Sequence, residues 1–239
     1  MIIAANLKTN LTRSATRKYI DELSTFADVS SSEVIVFPAM TSLDDFNVSS
    51  ITIGAQNAYP TQNGAFTGET GLEQLDEFGV KTILIGHSER RHILGENQEF
   101  LVEKFNYFKE QGFKIVFCVG EPQEIREAGK EKMLTYIGEQ YKGIDTEYEN
   151  LIIAYEPVWA IGTGLTPTFE DIEDIHTELK KKSGAPLLYG GSVKVNNAKD
   201  VLSIKNVDGV LVGSAALYAE HFGMMIQYGD EVKKSKQEG

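Results

Sequence analysis

The sequence predicts an α/β fold on a parallel sheet, and three observations carry that prediction. Short β-prone runs recur along the whole chain, several of them are continuously apolar, and apolar residues at helical spacing lie between them. A strand covered on both faces has no polar side, so it reads as an unbroken apolar run and not as an alternation. Helices between such strands supply the crossovers that parallel neighbours need.

The runs fall at about Ile2 to Ala5, Glu33 to Phe37, Ile51 to Ala55, Thr82 to Ile85, Ile115 to Val119, Leu151 to Tyr155, Leu187 to Tyr189 and Gly209 to Val212. Ala15, Tyr19, Leu23 and Phe26 mark one apolar helix face after the first run. Leu101, Phe105 and Phe108 do so before the fifth, and Ile172, Ile175 and Leu179 before the seventh. Thr168 followed by Asp171 is a capping-box start, and Gly112 and Gly184 are placed to stop two helices. The lysine-containing end, residues 233 to 239, reads as a frayed and solvated terminus. Periodicity alone fits either a closed barrel or an open doubly wound sheet.

At 239 residues the length suits one barrel, and no linker or repeat divides it. Lysine and arginine number 23 against 35 aspartates and glutamates, a net charge of −12 that argues against nucleic acid or an anionic membrane as partner. An anionic substrate would need locally placed cations and backbone N–H groups. Cys118, the one cysteine, stands in an apolar run, so neither an intrachain disulfide nor a multi-cysteine metal site is available, and a buried thiol is expected. Met1 to Asn6 carries no basic region before its apolar residues, and no stretch approaches transmembrane length. A cytoplasmic protein is expected.

In a parallel α/β fold chemistry gathers where strands end. Asn6-Leu7-Lys8 follows the first run, Gly86-His87-Ser88-Glu89-Arg90-Arg91 the fourth and Glu156-Pro157 the sixth. Taken singly, Lys8 is a surface cation, His87 a structural imidazole and Glu156 a strand-end carboxylate. Brought to one mouth, a carboxylate, an imidazole and an ammonium suffice to isomerise an α-hydroxy carbonyl compound, one removing the carbon-bound proton while the others hold the enediolate oxygens. No cofactor is expected, since there is no dinucleotide fingerprint, Walker loop or metal-ligand cluster, and His87, His92, His176 and His221 are scattered. Glycines gather at Gly162-Thr163-Gly164, Gly190-Gly191-Ser192 and Gly213-Ser214. Backbone N–H groups there can hold a phosphate dianion, and in barrels the phosphate site is often built after strands seven and eight.

These strings resemble triosephosphate isomerase from the first strand to the last. AYEPVWAIGTG at 154 to 164 is the most specific, joined in the family order by NLK at 6 to 8, GAFTGE at 64 to 69, IGHSERR at 85 to 91, CVGE at 118 to 121, YGGSV at 189 to 193 and LVGSA at 211 to 215. The resemblance implies a single (β/α)8 TIM barrel over residues 1 to 239 that interconverts dihydroxyacetone phosphate and D-glyceraldehyde 3-phosphate through an enediolate, in glycolysis and gluconeogenesis, with no cofactor and no metal. It implies Glu156 as base and His87 as neutral electrophile, an arrangement for which this family is itself a standard example. It further implies that Asn6 and Lys8 orient and polarise the substrate, with Glu89 as partner to Lys8. Pro157 to Thr166 would form a mobile lid whose Gly162 N–H reaches the phosphate, with Ser192, Gly213 and Ser214 completing the cradle. A homodimer is implied as well, with Phe66, Thr67 and Glu69 at the interface and Thr67 near the partner's Asn6 and the partner's Lys8. Leu7, Leu165 and Ser214 depart from the family's common tryptophan, lysine and glycine without removing a catalytic group. Another phosphate-binding barrel enzyme and a non-catalytic barrel are the weaker readings, because one fold hosts many functions.

Overall fold

A computed structural model describes residues 1–161 and 167–238. Eight parallel strands stand where the apolar runs lie: β1 (Ile2–Asn6), β2 (Glu33–Phe37), β3 (Ile51–Ile53), β4 (Thr82–Ile85), β5 (Lys114–Val119), β6 (Leu151–Tyr155), β7 (Leu187–Tyr189) and β8 (Gly209–Val212). Each pairs with its neighbour in the order β3-β2-β1-β8-β7-β6-β5-β4. The two ends of that order meet at one residue. Ala55 bridges Ile83 in parallel, its N–H donating to Thr82 O at 2.8 Å and its carbonyl accepting from Leu84 N–H at 2.9 Å. The sheet is therefore a nearly closed barrel and not an open doubly wound sheet.

The helices are α1 (Arg13–Ala27), α2 (Leu72–Glu77), α3 (Ser88–His92), α4 (Gln98–Glu110), α5 (Gln123–Glu127), α6 (Lys130–Gln140), α7 (Phe169–Lys180), α8 (Val195–Ser203) and α9 (Ala219–Glu238). Successive strand residues point to opposite faces, and the core divides accordingly. Ile2, Ala4, Ile35, Phe37, Leu84, Val116, Cys118, Ile152, Ala154, Leu188 and Leu211 fill the barrel. Their strand neighbours, such as Ile3, Ala5, Val34 and Val36, pack outward against helix residues including Leu23, Leu101, Phe105 and Ile172. Cys118 is buried and free, as expected.

Thr168 Oγ1 accepts from Asp171 N–H at 3.1 Å while Asp171 Oδ2 accepts from Thr168 N–H at 3.2 Å, the reciprocal cap that the sequence predicts for α7. Gly112, at φ 71, follows α4 as expected. Two expectations are corrected. Gly184 does not stop α7, which ends at Lys180 with Lys181 as its cap. Nor is the lysine-rich end frayed: α9 runs to Glu238, with Lys233 Nζ donating to Ser31 O at 2.6 Å. Lys236 Nζ also donates to Leu202 O, Ile204 O and Val207 O at 3.0, 3.3 and 3.2 Å. The Leu202 carbonyl at the end of α8 lacks an intrahelical donor, and one long cationic side chain serves it together with the carbonyls of the cap Ile204 and of Val207 beyond it.

Candidate active site

The ends of β1, β4 and β6 converge on one cavity of about 370 Å³. Asn6, Lys8, His87, Glu156, Gly191, Ser192, Gly213 and Ser214 line it. Sequence reasoning brought these residues together only on condition that the sheet closed.

Glu156 is 2% exposed and follows β6, whose next neighbours hold it in place: its N–H donates to Val119 O at 2.7 Å. Close approach is possible because Gly120 and Gly190 have no side chain. A Cβ on Gly120 would stand 1.7 Å from Glu156 O, and one on Gly190 would stand 3.0 Å from Glu156 Cγ. The carboxylate is bound twice, Oε2 accepting from Ser88 N–H at 2.9 Å and Oε1 lying 2.9 Å from His87 Nε2. Burial pushes its pKa up, yet the imidazole, the Ser88 N–H and the charge of Lys8 outweigh this and hold it below the usual carboxylate value.

His87 is the N-cap of α3, and its Nδ1 accepts from Glu89 N–H at 3.2 Å. An acceptor at Nδ1 leaves the ring proton on Nε2, which then donates to Glu156. Burial lowers the imidazole pKa, while the Glu156 carboxylate raises it and prevails in this arrangement.

Lys8 occupies the left-handed region at φ 51, sparsely populated by residues with a side chain. Three polar contacts hold that turn. Lys8 N–H donates to Asn6 Oδ1 at 3.0 Å, Gln56 Nε2 donates to Lys8 O at 2.8 Å, and Asn10 Nδ2 donates to Leu7 O at 2.8 Å. Lys8 Nζ lies 2.5 Å from Glu89 Oε1, joining the β1 and β4 ends. Leu7, at the family's tryptophan position, is fully buried in the outer core.

Beside Glu156 and Lys8, Gly191 and Ser192 precede the N-terminus of α8, and Gly213 and Ser214 open a 3-10 turn over Ser214–Leu217. Ser192 Oγ donates to Ala160 O at 2.8 Å, so the β7 loop touches the segment that follows Glu156. Gly162 and Leu165 lie outside the described residues. Phe66, Thr67 and Glu69 form an exposed loop, with Phe66 stacked on Tyr59 at 4.2 Å.

Several contributors were not visible in the sequence. Asn10 and Lys194 also line the cavity. Glu121 is fully buried, its Oε1 accepting from Tyr155 Oη–H at 3.0 Å and Trp159 Nε1–H at 2.9 Å while Oε2 has no partner among the described residues, and burial raises its pKa. The available signal was position: Glu121, like Gln56, follows a strand by two or three residues.

Comparison with known proteins bears on this geometry directly. The family model for triosephosphate isomerase matches residues 1–229. The chain is 66% identical over 236 residues to the triosephosphate isomerase of Sulfurimonas denitrificans, with 98% of each chain covered. Identity to the triosephosphate isomerase of Sulfurovum sp. is 57% over 228 residues, covering 95% of this chain and 99% of that one. For that of Campylobacter jejuni subsp. jejuni the identity is 48% over 227 residues, covering 95% and 100%. Strand order, cavity and these matches agree, and the chain belongs to the triosephosphate isomerase family.

Proposed function

We propose that the chain isomerises dihydroxyacetone phosphate and D-glyceraldehyde 3-phosphate with Glu156 as the base that moves the carbon-bound proton. The observation that carries this reading is the pairing of a buried carboxylate with a buried imidazole, 2.9 Å apart, in a cavity that also holds Lys8 and Asn6.

Without substrate the carboxylate is occupied by Ser88 N–H and His87 Nε2–H. To act, Glu156 leaves these donors and takes the proton from C1 of the ketose, and the C–H electron pair becomes the enediolate. His87 Nε2–H is thereby freed to donate to the carbonyl oxygen, with Asn6 and the Lys8 ammonium as further partners. His87 Nε2 gives its proton to O2 and takes the hydroxyl proton from O1, and Glu156 returns the carbon-bound proton to C2, so that O1 becomes the aldehyde oxygen and O2 the hydroxyl. Departure of the carboxylate also removes the chief influence that raises the His87 pKa. Burial, the Lys8 charge and the Glu89 N–H at Nδ1 remain and favour a neutral ring, against the smaller opposing effect of the Glu89 carboxylate 3.6 Å from Nδ1. Glu89 acts as the partner that holds Lys8.

We further propose that Ser192, Gly213 and Ser214, with Gly162 from the lid over 157–166, receive the phosphate. Supporting this, the helical segments after β7 and β8 begin at the cavity wall, and the first N–H groups of a helix have no intrahelical acceptor. A homodimer built through Phe66, Thr67 and Glu69 is proposed on the family's pattern, and exposure of Phe66 at 41%, Ile93 at 76% and Leu94 at 63% is consistent with it. The same pattern suggests one barrel domain over 1–239 acting in the cytoplasm; no described helix is long and apolar enough to cross a membrane.

The direct test is a coupled assay with dihydroxyacetone phosphate at low enzyme concentration, in which rapid aldehyde formation is expected and its absence would refute the activity. Thr67→Arg should convert a dimer to monomers in sedimentation, because an interface does not tolerate an unpaired buried charge. An unchanged sedimentation coefficient would remove the interface assignment.

A further inference from the structure

Arg91 ends the IGHSERR string, yet the reaction as described gives it no task. Its guanidinium is half-buried and makes three hydrogen bonds. Nε donates to Gly86 O at 2.8 Å, Nη2 to Cys118 O at 3.1 Å and Nη1 to Gln98 Oε1 at 3.0 Å. All three acceptors are neutral, and among the described residues no carboxylate lies within ion-pair distance of Arg91. Buried or half-buried cations ordinarily find an anion, as Arg90 does with Glu96 at 2.7 Å.

The placement of the three acceptors gives the arrangement its meaning. Gly86 immediately precedes His87 and stands at φ 78, so the bond from Arg91 back to its carbonyl closes a loop around His87 and Ser88. Cys118 belongs to β5 and pairs in register with Ala154 of β6, and the next β5 residue, Val119, accepts the Glu156 N–H at 2.7 Å. One planar fork therefore spans the turn that carries the imidazole and the strand that holds the base. Lysine could not reproduce this, since a single ammonium on a flexible stem lacks the fixed geometry of two donors.

We propose that Arg91 is a positioning residue for proton transfer, fixing the His87 turn against the end of β5 and keeping an unpaired positive charge beside the strand ends that hold Glu156. This rests on the reading of Glu156 and His87 given above. The charged and titratable groups facing Glu156 are then His87 and Arg91 from the β4 turn and α3, Lys8 from β1 and the Cys118 thiol from β5, with His92 at longer reach. Gly190 of the β7 side brings no charge. Arg91 thus favours the ionised base, as Lys8 does.

The test compares Arg91→Met and Arg91→Lys in the full-length protein, with Glu156→Gln beside them. Arg91→Met should lower kcat by about 10- to 100-fold, the range expected when reacting groups shift by a fraction of an ångström to an ångström. KM for dihydroxyacetone phosphate should stay close to wild type, because Lys8 and the phosphate loops are untouched. The acid limb of kcat/KM should move to higher pH, since removal of a cation disfavours the carboxylate. Arg91→Lys should lower kcat as well but leave the acid limb near its wild-type position. A folded Arg91→Met protein with wild-type kcat and an unmoved acid limb would overturn the proposal. So would a parallel loss in kcat and substrate affinity. If the methionine variant does not fold, wild-type kcat in Arg91→Lys overturns it alone. An active Glu156→Gln variant would instead defeat the underlying reading, whatever the Arg91 variants do.

Discussion

At the C-terminal end of the strands Lys8 stands at φ 51, Glu121 keeps a buried oxygen without a partner among the described residues, and Glu156 is held by donors that the proposed reaction requires it to leave. At the opposite end several charged groups are satisfied where they stand. Lys114 pairs with Glu33, Lys180 lies 2.6 Å from Asp208, and Asp230 Oδ1 accepts from the hydroxyls of Ser30, Ser31 and Ser32 at 3.0, 3.1 and 2.8 Å. Lys236 caps three carbonyls there. The same eight strands thus end in a site whose contacts are provisional and begin in a base whose contacts are final. Sites that await a ligand carry such tension, and the surrounding structure supplies the stability to hold it.

Two buried histidines repeat the contrast. His87 shares its proton with a carboxylate at the mouth. His176, on α7 behind Tyr155 and Tyr189, has Nδ1 at 3.0 Å from Asn206 O and, among the described residues, no partner for Nε2. A carbonyl accepts, so Nδ1 carries the proton, and a second proton on Nε2 would have nothing to bond. Burial accordingly lowers its pKa to about 4.

The contrast breaks most visibly if a change at the mouth spares catalysis. Glu156→Gln is expected to lower turnover by at least ~100-fold with little loss of ligand affinity, the usual effect of removing a positioned acid–base group. Lys8→Met should weaken phosphate-bearing inhibitors and turnover together, because a chain of net charge −12 offers the dianion no compensating field. Inhibitor titration checks it, and unchanged affinity would make Lys8 a surface residue.

Away from the mouth, changes should act on stability alone. His176 is neutral in the folded chain where the unfolded chain takes up a proton. Its contribution is complete above the ordinary histidine pKa of 6.5 and is lost as pH falls from there towards 4. A loss on the order of 3 kcal/mol across that window follows from a shift of that size. Urea unfolding at stepped pH should show wild type losing stability faster than His176→Gln between these limits, and equal slopes would contradict the assignment. The smallest effect belongs to Lys236→Met, expected to lower unfolding free energy by about 1 kcal/mol, the net value of a hydrogen-bonded group, with kcat unchanged. A change in kcat would dissolve the division between the two ends.

Strand positions were legible because burial on both faces leaves a local mark in the sequence. Closure was not: it depends on Ala55 meeting Ile83, a contact between chain segments that no periodicity records. The residues that follow β1, β4 and β6 were legible once strand ends were inspected, since unlike residue types stood there together. Ser88, Gln56, Glu121 and Arg91 were not legible as supports, because each acts through a bond to a distant carbonyl, carboxylate or ring that only the fold brings near. The docking of α9 was missed for the same reason. Lysines that read as solvated find carbonyl partners on elements about 30 and 200 residues away.

If Glu156 moves the carbon-bound proton, hydrogen exchange reads that step without relying on net turnover. Dihydroxyacetone phosphate would be incubated in deuterium oxide with wild type or Glu156→Gln at equal concentration and followed by proton magnetic resonance. Wild type should place deuterium on the reacting carbons as isomerisation proceeds, and the variant should leave them protonated over the same period. Deuterium incorporation by the variant at the wild-type rate would show that some other group is the base.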